Sequence, residues 1–197
     1  FDFLTDRLIE SHRRRGVCLG THRIYSLMAL VRLNDEFGGG LISDETKQDI
    51  MEFLAGARDL IVASQDEDGS WPPNWYDGAE ALAKADPSAP FHRRVISTGH
   101  HLEWLAIAPE ELHPPRVSIL RAAKWMIQNT LETPQETIDA NYTYYSHVGN
   151  ALALWRKTSP PEFWTKWRTS HPEIEAGLTP AERSGTSGNT DAATSDH

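Results

Sequence analysis

The spacing of apolar and polar positions predicts helices along nearly the whole chain. Apolar residues recur every three or four positions, which is the period of an amphipathic helix. The predicted helices cover residues 2–14, 21–36, 43–64, 99–108, 115–132, 145–157 and 160–169. The alternation in residues 141–145 is typical of a strand but too short to make a sheet. The pattern therefore predicts an all-α fold.

Helix-ending and helix-starting residues set the predicted boundaries. Three glycines at 38–40 stop one helix, and Ser43 is a good N-cap for the next. Pro115 and Pro160 suit first turns, where a missing N–H costs no hydrogen bond. Residues 66–91 are rich in Gly and Pro and predict a long loop that carries a short helix over 79–84.

The two ends of the chain differ in character. Residues 176–197 are polar and rich in Gly, Ser and Thr, so we expect a disordered tail after a helical domain over 1–175. The chain begins at Phe1, already inside a helical pattern. We therefore expect it to be the C-terminal part of a longer chain.

Three segments share one arrangement, in which a histidine leads into an apolar helix and a leucine follows five positions later. The histidines are His22, His100 and His147. These segments are rich in small residues that let helices approach closely, whereas the helices over 43–64 and 115–132 have one apolar and one charged face. This alternation predicts inner and outer members of helical hairpins, stacked as an α-solenoid or closed into an α/α toroid.

Gln65, Gly69 and Trp71 follow the end of a predicted outer helix with the spacing Q-x-x-x-G-x-W. This segment resembles the QW repeat of the terpenoid-cyclase and protein-prenyltransferase superfamily. The resemblance implies an α/α toroid in which Gln65 caps a helix end and Trp71 packs beneath it. The Asp-x-Asp-Asp motif of the cyclases and the zinc-ligand set of the prenyltransferases are not found, so the resemblance implies a fold and not a chemistry.

The string Gly-His-His-Leu-Glu-Trp at 99–104 resembles a Gly-His-x-x-Glu-Trp segment of the N-acylglucosamine 2-epimerase and aldose-ketose isomerase family, whose barrels are also α/α. The resemblance implies that His100 is an acid/base residue that moves a proton next to a sugar carbonyl.

The three histidines are candidate catalytic residues on physical grounds as well. A helix N-terminus disfavours imidazolium, and the neutral ring serves as a general base or a metal ligand. If the three helices are neighbours and point the same way, the imidazoles meet at one mouth of the barrel. Glu103, one turn after His100, can orient a ring or act as a partner acid. Each histidine can instead simply bond a loop carbonyl.

Other histidines and the single cysteine have a structural interpretation. His101 and His113 do not share the repeated position, so we expect them to be structural. Cys18 lies four residues before His22, where it can join a metal site or be a small buried apolar residue. A zinc site built from the three repeated histidines is a further alternative.

Aromatic residues beside these segments are candidate ligand-binding residues, because rings stack on sugars and also line isoprenoid pockets. The candidates are Tyr25, Trp71, Trp75, Trp104 and Tyr144. We expect four further tryptophans, at 125, 155, 164 and 167, to be core residues.

Charge and composition narrow the classes of partner. A net charge of −9 argues against nucleic-acid binding, and no apolar run is long enough to span a membrane. No nucleotide or other cofactor fingerprint is present, so no cofactor is expected. Two hypotheses remain beside the zinc site. One is a pocket for a small carbohydrate or prenyl-like ligand with histidine acid/base catalysis, and the other is a non-catalytic helical repeat that binds protein or acts as a scaffold.

Overall fold

The computed structural model describes residues 1–11, 17–84 and 90–173, and within these ranges it contains helices and no strand. The α-helices are α1 (Asp2–Glu10), α2 (Thr21–Glu36), α3 (Asp44–Ser64), α4 (Glu80–Ala83), α5 (His92–Ile107), α6 (Arg116–Glu132), α7 (Gln135–Ala140), α8 (Tyr142–Trp155) and α9 (Pro160–Ser170). Short 3-10 helices cover Val17–Gly20, Trp75–Asp77 and Glu110–Leu112. The predicted all-α class is confirmed.

Local capping signals located several helices correctly. The Ser43 hydroxyl accepts a hydrogen bond from the Thr46 amide at 3.1 Å, which starts α3 as predicted. The bounds of α2 are those predicted, those of α6 and α9 differ by one residue at one end, and the short helix α4 lies within the long loop. The residues that start and end these helices can be recognised from the local sequence alone.

Two of the helices that carry the repeated histidines begin earlier than predicted. Helix α5 begins at His92 rather than at Gly99, and α8 begins at Tyr142 rather than at Tyr145. Val95 is buried in the extra turns of α5, so tertiary packing favours helix where single-residue propensity is weak. Helix α7 was not predicted. Helix α1 ends at Glu10 and not at residue 14, which lies outside the described residues.

The chain divides into two compact units, Phe1–Thr158 and Ser159–His197. In the second unit α9 begins with a capping box between Ser159 and Glu162. Trp164 and Trp167 stack on each other at 5.3 Å, and α9 has no buried residue, so the core role predicted for these two tryptophans is wrong. The predicted tail over 176–197 lies outside the described residues.

Helix α5 is the centre of the first unit. It packs against α2, α6 and α8, and every residue from 95 to 105 is buried. Helix α3 packs on α2, and α6 packs on α5 and α8. The leucines that follow two of the repeated histidines, Leu27 and Leu105, are fully buried in the common core. The layer of α2, α5 and α8 carries the three repeated histidines.

The loop after α3 is tied to both neighbouring helices. The Trp71 indole N–H donates to the Ile61 carbonyl in the last turn of α3 at 2.7 Å. The Gln65 amide donates to the carbonyls of Gly69 and Ser118, each at 2.8 Å. The Trp71 indole therefore bonds the last turn of α3, and the Gln65 side chain bonds the first turn of α6. Gln65 thus contacts a helix end, although it is not the end of α3.

Candidate functional site: a histidine and carboxylate cluster

The three repeated histidines lie together in the structure, in one hydrogen-bonded chain. His22 Nε2 lies 3.1 Å from His100 Nε2, and His100 Nδ1 lies 2.7 Å from the Glu103 carboxylate. His147 Nδ1 contacts the other carboxylate oxygen of Glu103 at 3.0 Å. The rings of His100 and His147 are 3.9 Å apart between centroids. Side chains from α2, α5 and α8 thus form one cluster.

Glu103 holds this cluster together. Its carboxylate also accepts a hydrogen bond from the Asn150 amide at 2.7 Å, and the residue is only 3% exposed. Burial alone raises a carboxyl pKa, but the hydrogen bonds from His100, His147 and Asn150 outweigh it and lower the pKa of Glu103 to about 2. Glu103 is therefore an anion that accepts bonds from three side chains.

The ionised carboxylate of Glu103 determines the tautomers of the two imidazoles that bond to it. An ionised carboxylate only accepts, so His100 and His147 each carry a hydrogen on Nδ1. The Nε2 lone pair of neutral His100 then faces His22. A base whose far side is held by a carboxylate is the arrangement that orients catalytic histidines in hydrolytic triads.

The three histidines do not occupy the same position in their helices. His22 is the second residue of α2, but His100 is the ninth residue of α5 and His147 the sixth of α8. The predicted effect of a helix N-terminus therefore applies to His22 alone. Burial and, to a smaller extent, the nearby His100 and His147 lower the pKa of His22.

The cluster opens to solvent on the side of α2. His22 is exposed, whereas His100 is 3% exposed. Half-buried Cys18 lies next to them on the 3-10 turn, where Cys18 and Leu19 have φ angles of 49° and 63°. Ligand atoms of Cys18, His22 and His100 lie within 4.8 Å of one another, as do those of His100, Glu103 and His147.

Helices α5 and α8 approach each other closely at Gly99. A Cβ placed on Gly99 would lie 2.8 Å from the Cβ of His147, which is closer than real carbon contacts allow. Gly99 lies against His147, and Glu103 further along α5 reaches Asn150 further along α8. The two helices therefore run in the same direction.

We expect Gly99→Ala to destabilise the first unit by about 1 to 3 kcal/mol, because the added methyl must push α8 away. Urea unfolding followed by far-UV circular dichroism measures this change. The matched control is Gly149→Ala, since Gly149 is exposed in α8 and a Cβ there meets nothing within 4 Å. The control variant is expected to gain about 1 kcal/mol of stability, because alanine has a higher helix propensity than glycine. Equal effects of the two changes would contradict the close contact.

Three predicted ligand-binding tryptophans belong to the core. Trp71, Trp75 and Trp104 are at most 1% exposed. Each indole N–H has a partner inside the protein: Ile61, Leu19 and His101 respectively. A ligand has no access to these rings in this conformation. Their predicted role as stacking residues is therefore corrected to a packing role.

His101 and His113 have the structural roles expected of them. His101 Nδ1 accepts from the Trp104 indole, and its ring sits edge-on to Trp71 and Trp75. Full burial lowers the pKa of His101 to about 3. His113 Nε2 contacts carbonyl oxygens at 2.9 and 3.1 Å, at the C-terminal end of α5.

The two predicted tyrosines are partly buried. Burial and, less strongly, the charge of Glu103 raise the pKa of Tyr25, which places this residue within electrostatic reach of the cluster. Tyr144 stacks on His92 with 4.4 Å between ring centroids. Tyr25 is thus a predicted aromatic residue that lies near Glu103 of the cluster.

Asn150 was missed in the sequence analysis. It follows His147 by three positions, as Glu103 follows His100, so the repeated spacing was the available signal. For Cys18, the spacing of four before His22 predicts either a metal ligand or a small buried apolar residue, and the structure places it beside His22 and His100. Both residues complete the cluster in the structure.

A separate groove of about 680 Å³ lies between α1 and the first half of α3. Its lining is dominated by acidic side chains and includes no residue of the histidine cluster. The lining residues are Asp2, Asp6, Ile9, Glu10, Ser43, Glu45, Thr46, Asp49, Glu52 and Phe53. The groove is separate from the cluster in which the predicted site residues His22, His100, His147 and Glu103 meet, so the candidate site remains the cluster.

None of the helices in the described part of the chain is long and apolar enough to cross a membrane. Comparison with protein families, with curated proteins and with solved structures finds no match to this chain. The assignment of function therefore rests on the geometry of the cluster.

Proposed function

We propose that the unit Phe1–Thr158 is an α/α hairpin domain of toroid type whose open mouth binds a small polar ligand. The contacts of α5 with both α2 and α8 support an inner layer, and α3 and α6 pack beside it as outer helices. The common direction of α5 and α8 is that of successive inner helices in stacked hairpins. The histidine cluster lies on this layer, as the ligand sites of helical bundles do.

At this mouth, His22, His100 and Glu103 move a proton to or from the bound ligand. The hydrogen-bonded chain from exposed His22 through buried His100 to ionised Glu103 carries the proposal. His22 touches the ligand, His100 exchanges a proton with His22, and Glu103 holds His100 and stabilises its positive charge. His147 and Asn150 position Glu103 from the other side.

Within the part of the chain that the structure describes, the charges near the cluster favour a neutral ligand over a diphosphate. Glu103 is anionic, and the arginines of α2 and α5 nearest to the cluster in sequence bond elsewhere: Arg23 to Ser11, and Arg94 to Asp66 and Asp68. Phosphate recognition needs such cations at the site. Of the two ligand classes predicted, the carbohydrate is therefore favoured over a prenyl-like compound that carries a diphosphate. The resemblance of residues 99–104 to the sugar epimerases agrees with this choice.

Hydrogen exchange in D₂O tests the proposal. A panel of aldoses, ketoses and N-acylated hexosamines is incubated with the protein, and proton NMR follows the C–H next to the carbonyl. A base that removes this proton and returns a deuteron erases the signal. We expect at least one sugar to exchange, and His22→Gln and His100→Gln to slow exchange by about 100-fold or more, which is the usual contribution of a general base.

His92→Gln is the control, because His92 lies on α5 eight residues before His100, about 12 Å along the helix. We expect its exchange rate to equal that of the unmodified chain. Absence of exchange with every sugar, or equal rates in all variants, would reject acid/base catalysis on this substrate class. That outcome would favour the scaffold hypothesis.

A further inference from the structure

Three soft or borderline donors meet at the open edge of the cluster. Cys18 Sγ, a ring nitrogen of His22 and one of His100 all lie within 4.8 Å of one another. Thiolate and imidazole are the donors that zinc-class ions prefer. Carboxylate donors, which suit calcium and magnesium, are absent from this set of three.

The separation of the two imidazole nitrogens is close to that in a tetrahedral site. With Zn–N and Zn–S bonds of the usual length, tetrahedral donors lie roughly 3.3 to 3.6 Å apart. His22 Nε2 and His100 Nε2 are 3.1 Å apart, and their rings meet at 83°. Two imidazole nitrogens at this separation share either one proton or one metal ion.

Glu103 supplies the support that a metal-binding histidine requires. A ligating imidazole almost always donates its other N–H to a carboxylate or a carbonyl. His100 does so through Nδ1 to Glu103 at 2.7 Å, while Asn150 and His147 hold the carboxylate. The buried imidazole is thus already in the tautomer that leaves Nε2 free for a metal.

From this arrangement we infer that Cys18, His22 and His100 bind a divalent zinc-class ion, with Glu103 as the second-shell carboxylate and the fourth position open. Three protein ligands with a free position are typical of catalytic zinc sites, whereas structural sites have four. The exposure of His22 gives the fourth position contact with solvent. The inference builds on the site of the proposed function, and the ion would replace the proton shared by His22 and His100.

Metal titration of the chelator-treated protein tests the inference without any substrate. We expect Zn²⁺ to bind one to one by calorimetry, and Co²⁺ to give a thiolate-to-cobalt charge-transfer band. Cys18→Ser and His22→Ala change residues that are half-buried or exposed, so both proteins are expected to fold. Each is expected to lower Zn²⁺ affinity more than about 100-fold, because even second-shell losses reach that size.

Glu103→Gln is expected to lower Zn²⁺ affinity by about 10- to 100-fold, and His92→Gln to leave it unchanged. Absence of binding to the unmodified chain, binding at several weak sites, or equal affinity in Cys18→Ser would overturn the inference. Exchange of sugar protons by the metal-free protein, combined with no Zn²⁺ binding, would overturn the metal site alone. If Zn²⁺ binds but the metal-free protein exchanges no sugar proton, the metal site stands and the metal-free proton transfer is rejected.

Discussion

Replacing Trp71 with alanine is expected to destabilise the first unit by about 3 to 5 kcal/mol. Trp71 is fully buried, and a large aromatic side chain removed from a core leaves a cavity that the surroundings fill only in part. The change also removes the donor that satisfies the Ile61 carbonyl at the end of α3. Since domains have only about 5 to 15 kcal/mol of stability, urea unfolding followed by circular dichroism should show a large shift of the midpoint.

Two further variants test what causes the loss of stability in Trp71→Ala. Trp71→Phe keeps a ring but loses the N–H, so we expect a cost of about 1 to 3 kcal/mol for the unsatisfied carbonyl and the smaller volume. Phe37→Ala is the exposed control, since Phe37 is 75% exposed at the end of α2 and should change stability by no more than about 0.5 kcal/mol. If Trp71→Ala costs no more than Phe37→Ala, the loop after α3 does not anchor the core.

Replacing Glu103 with alanine is the second change with a large expected effect, also about 3 to 5 kcal/mol. Three side-chain donors, from His100, His147 and Asn150, lose their acceptor at once in a place where water enters poorly. Breaking a buried polar network by removing one partner costs this much because the remaining groups stay desolvated and unpaired. Urea unfolding at neutral pH measures the loss, where Glu103, with its pKa of about 2, is ionised.

The conservative variant Glu103→Gln tests the electrostatic part of this effect. Glutamine keeps the volume but has a single acceptor oxygen, and its NH₂ group faces a donor. We expect a loss smaller than in Glu103→Ala but clearly larger than zero. Glu132→Ala, at the exposed end of α6, is the control and should stay within about 0.5 kcal/mol. Equal stability of Glu103→Ala and Glu132→Ala would show that the network does not hold α5 and α8 together.

The sequence pattern selected histidines that meet in the structure, although it placed the starts of two of their helices too late. His22, His100 and His147 were chosen because each precedes a leucine by five positions, and the structure brings them together. The reason given for their similarity, a shared place in the first turn, is wrong for His100 and His147. Helices α5 and α8 extend further toward their N-termini than predicted, and in α5 the added turns bury Val95 and Ile96.

Three predicted ligand-binding aromatic residues take a different role in the structure. Trp71, Trp75 and Trp104 were predicted to face a ligand, because they lie beside the histidines in the chain. The structure turns their rings into the core, where Trp71 and Trp75 enclose His101. For Trp104, proximity along the chain does not specify a ligand-facing side, because nearly every face of α5 is buried. For Trp71 and Trp75, the loop after α3 folds their rings into the core, which no local pattern specifies.

By itself, the sequence determined the all-α class, the N-cap of α3, and the His-to-Glu spacing that puts His100 and Glu103 on one helical turn. These features depend on residues within about one turn of each other, where backbone geometry alone sets the contacts. The tertiary structure decided the contact of His22 with His100, the place of Cys18, and the bonds from α8 to Glu103. Those partners are separated by 78 residues in one case and by 44 and 47 in the others, so they meet only through the packing of helices whose register no local pattern encodes.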